Sequence, residues 1–459
     1  MNTLSLYIHF PFCVRKCQYC DFLSGPGTAK AMSSYINDLK NEIAFRGQFF
    51  RNHQVMSVFF GGGTPSLLSE IQMNDIMSCI RSNFSLNPHA EITCECNPGT
   101  LSEDKLNGFL NAGINRLSIG LQSANDTELE MLGRIHRYAQ FEHNYQLARQ
   151  CGFKNINIDL MSALPGQSVA SYEDTLDKVL ALEPEHISAY SLIIEDGTPF
   201  ADALPAPLPS EDDERLMYHL TKTKLAAHGY ARYEISNYAR PGFECRHNIV
   251  YWTRKNYLGL GLGSSSLIDE HRFCNPSDMK KYHELWNVDI SAHQVYSQQS
   301  YIKQTSKQKK VSEQKKASNL QQSDQNLPDC DALLDKGNTK IYKTSTNNLS
   351  QAPDTANSIY TQNTVCEESC NTFLHGTQQL ETLDTQAQME EFMFLGLRLT
   401  KGISTKAFED YFHTPIKAVY QTVIDKHLKD GTLILDGDRL YLSECGMDVA
   451  NYVMSDFII

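Results

Sequence analysis

The sequence predicts an α/β protein whose first 210 residues form a partial barrel of six β/α units. Two observations carry this reading. Six strand-like apolar runs alternate with helix-like stretches between residues 4 and 194, and each strand runs into an unusual polar or glycine-rich word. Alternation of this kind makes a parallel sheet with helices packed on it. In such folds function collects at the carboxyl ends of the strands.

The strands read as Leu4–His9, Val55–Phe60, Ala90–Cys96, Arg116–Gly120, Asn155–Asp159 and His186–Ile194. Between the first two, Met32, Tyr35, Ile36, Leu39 and Ile43 recur at helical spacing. Ser69–Phe84, Ser102–Ala112, Asp126–Leu132 with Tyr138–Cys151, and Ser168–Leu182 fill the remaining gaps. Nothing after residue 194 continues the pattern, so a closed eight-unit barrel is not expected. The chain instead divides at 211–294, a mixed continuation opening with a helix over Glu211–His228, then 295–385, then a tail over 386–459. The third segment turns abruptly to Gln, Ser, Asn, Thr and Lys with few large apolar residues, which reads as an unstructured insertion. Within it, Cys366 and Cys370 lack a third nearby ligand and read as incidental, and the lysines around 303–316 as a solvated run. The tail reads as helices near 389–399, 404–411 and 414–429. A hairpin follows around Asp436-Gly437, with Leu433–Leu435 against Leu440–Leu442, and together these make a winged-helix-like module. Its 11 acidic against 7 basic residues argue for a lid or packing role over DNA binding.

Composition narrows the partners. At 459 residues the chain can bury a large core, and 41% hydrophobic residues with 10% aromatics are ordinary for a water-soluble fold. A net charge of −13 is a poor match for nucleic acid. No apolar run approaches the length of an integral membrane segment, and no signal or transit peptide precedes the first strand. Thirteen cysteines without a secretory signal point to a reducing cytoplasm.

The chemistry begins where the first strand ends, at Cys13-Val-Arg-Lys-Cys17-Gln-Tyr-Cys20. Three thiolates within eight residues make a soft-ligand loop suited to iron–sulfur or zinc. A structural zinc site wants a fourth ligand, and no His or Cys follows before His53. A cubane held by three cysteines leaves one iron open to another ligand. Reduced cysteines that merely pack are the bland alternative.

The other strand ends are Gly61-Gly62-Gly63-Thr64-Pro65, Glu95-Cys96-Asn97-Pro98, Gly120-Leu121-Gln122-Ser123, Asp159 with Leu164-Pro165-Gly166-Gln167, and Ile193-Ile194-Glu195. Taken singly each has an ordinary reading, the glycines as a tight turn and the polar residues as solvated strand ends. Taken together they suggest one shared site. There the glycine run would let backbone approach a charged ligand. Glu95 would pair an ammonium or hydroxyl, Arg134 would hold a carboxylate, and Asp159 would accept from a ribose.

These words resemble the radical S-adenosylmethionine superfamily, and within it the oxygen-independent coproporphyrinogen dehydrogenase-like branch that includes the HemW haem chaperones. The stretches that carry the resemblance are Tyr7-Ile-His-Phe-Pro-Phe-Cys13, Phe59-Phe-Gly-Gly-Gly-Thr-Pro65, Arg116-Leu-Ser-Ile-Gly-Leu-Gln122 and Asn157-Ile-Asp159-Leu-Met-Ser-Ala-Leu-Pro165. They follow in order across roughly residues 4–290, and the likeness resumes from Met389. The resemblance implies a radical S-adenosylmethionine barrel with a [4Fe-4S] cluster on Cys13, Cys17 and Cys20, its fourth iron taking exchangeable S-adenosylmethionine. It implies a cofactor shell of Tyr7, Tyr19, Gly62, Gly63, Thr64, Glu95, Gln122, Arg134, Asp159 and Ile193. It also makes 211–294 a HemW-type continuation, marked by His247-Asn248-Ile-Val-Tyr251-Trp252. An imidazole beside a Tyr-Trp pair can ligate haem iron; the alternative is a core histidine bonded beneath two packing rings. The following Tyr257-Leu-Gly-Leu-Gly-Leu-Gly263 is a weak dinucleotide fingerprint. Where relatives carry Gly-Ala-His-Ser, this chain has Gly263-Ser264-Ser265-Ser266.

Two functions compete on this scaffold. The first is a haem chaperone, with haem as cargo and haem-accepting proteins as partners. The second is a radical enzyme decarboxylating coproporphyrinogen III, or acting on another haem or porphyrin. The decarboxylases of the branch carry a further cysteine two residues after the third, where this chain has Phe22. That difference favours the chaperone, with no catalytic residue assigned and homodimerisation through the cluster loop left open.

Overall fold

The computed structural model describes residues 2–287 and 376–459. The chain starts in a nine-residue strand, β1 (Asn2–Phe10), followed by α1 (Ala29–Gly47) and β2 (His53–Gly62). Then come α2 (Glu70–Asn83), β3 (Ser85–Cys96), α3 (Glu103–Ala112) and β4 (Arg116–Gln122). Helices α4 (Asp126–Met131) and α5 (Tyr138–Cys151), β5 (Ile156–Ser162), α6 (Val169–Ala181) and β6 (His186–Ser191) complete six β/α units. The helix starts are written locally. Thr28, Ser69, Ser102 and Ser168 each accept a hydrogen bond from a backbone N–H of the first turn, and Ser69 forms a reciprocal capping box with Gln72. Adjacent strands pair parallel in the order β1-β2-β3-β4-β5-β6. Strand β4 is buried along Arg116–Leu121, as a parallel sheet covered on both faces requires.

The sheet does not stop at six strands. Tyr257–Leu260 pairs parallel with the free edge of β1, so the glycine-rich word is a seventh parallel strand, not a phosphate loop. Gly259 is there for space: a Cβ would lie 2.3 Å from the Ser265 carbonyl oxygen. Ser265–Ile268, His271–Cys274 and Gln378–Thr382 continue the same edge antiparallel. On the far edge Asn237–Ala239 pairs antiparallel with β6 and with Ala231–Arg232, making twelve described strands in an open sheet. Two sequence boundaries need correction. The stretch expected to stay unstructured until 385 gives way to a strand at Gln378, because that segment closes the edge presented by His271–Cys274. The sixth strand ends at Ser191 and not at Ile194, since its partner β5 ends at Ser162 and the Leu192 N–H to the Ser162 carbonyl is the last bond of their ladder. The 295–375 part of the expected insertion, with Cys366, Cys370 and its lysine run, lies outside the described residues.

The tail comprises helices Thr385–Gly396, Thr405–Phe412 and Ile416–Lys429 and the hairpin Leu433–Asp436 with Arg439–Leu442, to which Ile403–Ser404 adds a third strand. Met393, Leu397, Phe408, Tyr420, Leu440, Val453 and Phe457 form its own apolar core. It is tied to the rest of the sheet by charge: Glu391, nearly buried, receives Arg254 at 3.0 Å and Arg272 at 2.6 Å. Among the described residues no helix is long and apolar enough to cross a membrane.

Candidate functional site

The carboxyl ends of β1–β6 surround a cavity of about 400 Å³, and the cysteine loop walls one side of it. Cys13, Cys17 and Cys20 all line it, free and half-buried, with Tyr19 between the last two. Gly62, Gly63 and Thr64 from the end of β2, Glu95 from β3, Gln122 from β4 and Arg134 from the loop after α4 line the same cavity. Asp159 from β5 and Ile193 beyond β6 complete the ring. The glycines are there by necessity. Gly62 holds φ +112°, and a Cβ on Gly63 would lie 2.6 Å from the Phe12 carbonyl oxygen. Gln122 takes φ +73° without being glycine, a conformation tolerated at a cost where the surroundings impose it.

Nine of the ten residues expected around the cofactor therefore share this cavity with the cysteines. The tenth, Tyr7, lies just behind it. It lines an adjoining chamber of about 200 Å³ that shares Glu95, Ser118, Asp159 and Tyr190 with the main cavity. Its hydroxyl bonds His9 Nδ1 at 3.1 Å, and His9 Nε2 reaches the Leu23 carbonyl at 2.9 Å, fastening the end of the cysteine loop to β1.

The electrostatics are those of a site built to receive a cation. Burial and the neighbouring Asp159 push the Glu95 carboxyl up to about 8, while the Gly62 N–H donates to its Oε2 at 3.2 Å. Burial also raises Asp159, held by Asn157 at 2.8 Å and Ser118 at 3.0 Å. Arg116 against the same chamber offsets this only in part, so two acids pressed together favour a ligand that brings an ammonium or a sulfonium.

The cysteine side asks for metal. Thr64 Oγ1 donates to Cys13 Sγ at 3.5 Å and Arg134 Nη1 donates to Cys17 Sγ at 3.6 Å. Donors aimed at sulfur suit ligating thiolates. Among the described residues no three His, Cys, Asp or Glu side chains converge as a single metal ion needs. Three sulfurs along one wall fit a cluster in which each takes a different iron.

The His247 group lies elsewhere. His247 lines the inner chamber, 1% exposed, with its ring stacked on Phe59 at 5.1 Å. Nδ1 meets Ser57 Oγ at 2.9 Å and Nε2 meets Tyr251 Oη at 2.9 Å. Because Ser57 donates to Ser5, Nδ1–H donates to Ser57 and Nε2 accepts from Tyr251. Burial lowers the imidazole to about 3 and keeps it neutral. Trp252 does not join them, for its ring lies 4.3 Å under the guanidinium of Arg398 from the tail. A haem ligand needs a free ring nitrogen, and here both are taken.

Sequence reasoning passed over Asn97, Ser118, Arg116 and Tyr190, which the fold places in or against the cavity. Asn97 had a visible signal, two residues after Glu95 at the same strand end. Tyr190, two before Leu192 on β6, had none beyond its register.

Comparison with known proteins agrees with this geometry. The model of the radical SAM superfamily matches residues 7–179, and that of the HemN C-terminal domain matches 383–449. The Heme chaperone HemW of Bacillus subtilis (strain 168) is 30% identical over 464 residues, covering 99% of this chain and 99% of that protein. The chain belongs to the HemW family. The family's Escherichia coli (strain K12) member is 40% identical over 269 residues, 58% of this chain and 70% of that one. In fold, this HemW-family chain is similar to the coproporphyrinogen III oxidase HemN of Escherichia coli, a radical SAM enzyme. The two align with a TM-score of 0.72 at 21% identity over 99% of this chain and 90% of that structure. Radical SAM membership implies a [4Fe-4S] cluster and S-adenosylmethionine.

Proposed function

We propose that this protein is a cytoplasmic haem chaperone that binds haem and passes it to acceptor proteins. Cys13, Cys17 and Cys20 would hold the cluster, whose open iron would take the amino acid end of S-adenosylmethionine. Glu95 and the Gly62–Thr64 backbone would receive the cofactor's ammonium, Arg134 its carboxylate and Asp159 its ribose, with Tyr7, Tyr19, Gln122 and Ile193 framing it. When bound and reduced, the pair can supply a carbon-centred radical. The residues themselves bind, orient and shield.

The observation that carries the chaperone reading over the decarboxylase is Phe22. It sits two residues after Cys20, lines the cavity and is 64% exposed. A large apolar side chain left in water at a cofactor mouth suits an apolar cargo and supplies no chemistry for decarboxylation. Ile193, 69% exposed, lines the same mouth. We assign His247 and Tyr251 to the structural core.

The test is anaerobic incubation of cluster-reconstituted protein with S-adenosylmethionine, a reductant and either haem or coproporphyrinogen III. Haem retained on the protein with no decarboxylated product supports the chaperone. Turnover of coproporphyrinogen with matching 5′-deoxyadenosine sinks it in favour of the enzyme.

A further inference from the structure

The donors aimed at Cys13 and Cys17 are not independent. Arg134 donates through Nη2 to Asn97 Oδ1 at 2.7 Å and to the Gly120 carbonyl at 2.6 Å, while its Nη1 faces Cys17 Sγ. Asn97 Nδ2 donates to Thr64 Oγ1 at 2.8 Å, and Thr64 Oγ1 faces Cys13 Sγ. One chain of side chains thus runs from one cysteine sulfur to another through Asn97.

Its direction is fixed by chemistry. A guanidinium can only donate, so the amide oxygen of Asn97 must face Arg134 and its NH₂ must face Thr64. Thr64 has a single hydroxyl proton. With its oxygen accepting from Asn97, that proton is free to point at Cys13. The Asn97 backbone has its own duties, the N–H to Ser66 Oγ at 3.1 Å and the carbonyl to Thr100 Oγ1 at 2.7 Å. The turn is therefore held without the side-chain amide.

We propose that Asn97 is a positioning residue for the iron–sulfur centre. It sets the Arg134 fork and orients the Thr64 hydroxyl so that two of the three ligating sulfurs each receive a hydrogen bond. The inference rests on the cluster reading. Hydrogen bonds to cluster sulfurs withdraw charge from them and favour the reduced state, so this chain raises the reduction potential. Asn97 touches neither sulfur and acts through its neighbours.

Anaerobically reconstituted wild type, Asn97→Asp, Asn97→Leu, Thr64→Val and Thr64→Ser would be compared by iron content and by redox titration followed with electron paramagnetic resonance. Asn97→Asp still accepts from Arg134 but draws the Thr64 proton away from Cys13, so its potential should shift to more negative values. Asn97→Leu and Thr64→Val should shift in the same direction, while Thr64→Ser keeps the donor and stays with wild type. In the Thr64→Val background, Asn97→Leu should shift the potential less than it does alone. Wild-type potentials at full iron content in both Asn97 variants would overturn the proposal. If the Asn97 variants do not fold, as judged by circular dichroism, the Thr64→Val and Thr64→Ser pair decides: equal potentials refute it. A wild type that takes up no cluster would refute the cluster reading instead, which is a separate outcome.

Discussion

Glu95 offers a measurement on the protein without any cofactor. Its carboxyl titrates near pH 8 in the folded chain against an ordinary value of 4.5, because burial and Asp159 both disfavour the ionised form. A raised folded value means the stabilising contribution is complete below pH 4.5. It is lost progressively as pH rises, levelling off above 8. A tenfold difference in proton affinity between folded and unfolded chain is worth about 1.4 kcal/mol, so the full window carries a ceiling of roughly 5 kcal/mol. Part of the carboxyl faces the cavity and Asp159 shares the repulsion, so a loss of about 2–3 kcal/mol is expected. Glu95→Gln keeps the shape and the acceptor for the Gly62 N–H but removes the titration. His247 and His136, both lowered to about 3 by burial, pull the other way, since their stability is lost as pH falls below 6.5. The difference between the two proteins cancels them. Urea midpoints of apo wild type and Glu95→Gln from pH 5 to 8.5 should diverge, the variant gaining on wild type toward the alkaline end. Parallel curves would mean that Glu95 ionises normally and that the cavity carries no unmet demand for a cation.

Four further outcomes follow from the structure. Replacing Cys13, Cys17 or Cys20 with Ser should abolish the visible absorbance of reconstituted protein and most of its bound iron. His247→Ala should leave haem retention unchanged while lowering stability by about 2–4 kcal/mol, since it opens a cavity and leaves the Tyr251 hydroxyl without its acceptor; lost haem at unchanged stability would restore the histidine as a ligand. Trp252→Ala should cost about 1 kcal/mol through its lost stack with Arg398, read as a lower midpoint in thermal denaturation. Gly259→Ala should destabilise by about 1–3 kcal/mol by driving a methyl into the Ser265 carbonyl, and hydrogen exchange should quicken in Tyr257–Leu260 first.

The barrel was legible because its strands are long and buried on both faces, which leaves apolar-rich runs such as Val55–Phe60, broken only by Ser57, between obvious punctuation. The site was legible for the same reason: strand ends are where a parallel fold gathers its polar residues. The sheet's extension was not. Tyr257–Leu260 and Ser265–Ile268 are four residues each and interleaved with glycine and serine, so no period emerges, and the first pairs with a strand about 250 residues earlier in the chain. His247 shows the limit of a motif. The letters His-Asn-x-x-Tyr-Trp do not say whether the tyrosine one helical turn on will cap the imidazole or stand beside a ligand; only the Ser57 and Phe59 neighbours do. Asn97 was written in the sequence, yet nothing short of its distance to Thr64 and Arg134 distinguishes it from a turn asparagine.

The place of β1 has a consequence for biosynthesis. The strand that leads straight into the cysteine loop lies between β2 and Tyr257–Leu260, inside the sheet and not at its border. A ribosome supplies its second neighbour only about 250 residues after β1 itself has emerged. Until then one side of β1 shows bare N–H and carbonyl groups, the kind of edge that recruits stray strands. A shorter nascent chain would carry a cysteine loop whose footing is half-built, and that footing is complete only after residue 260 has left the tunnel.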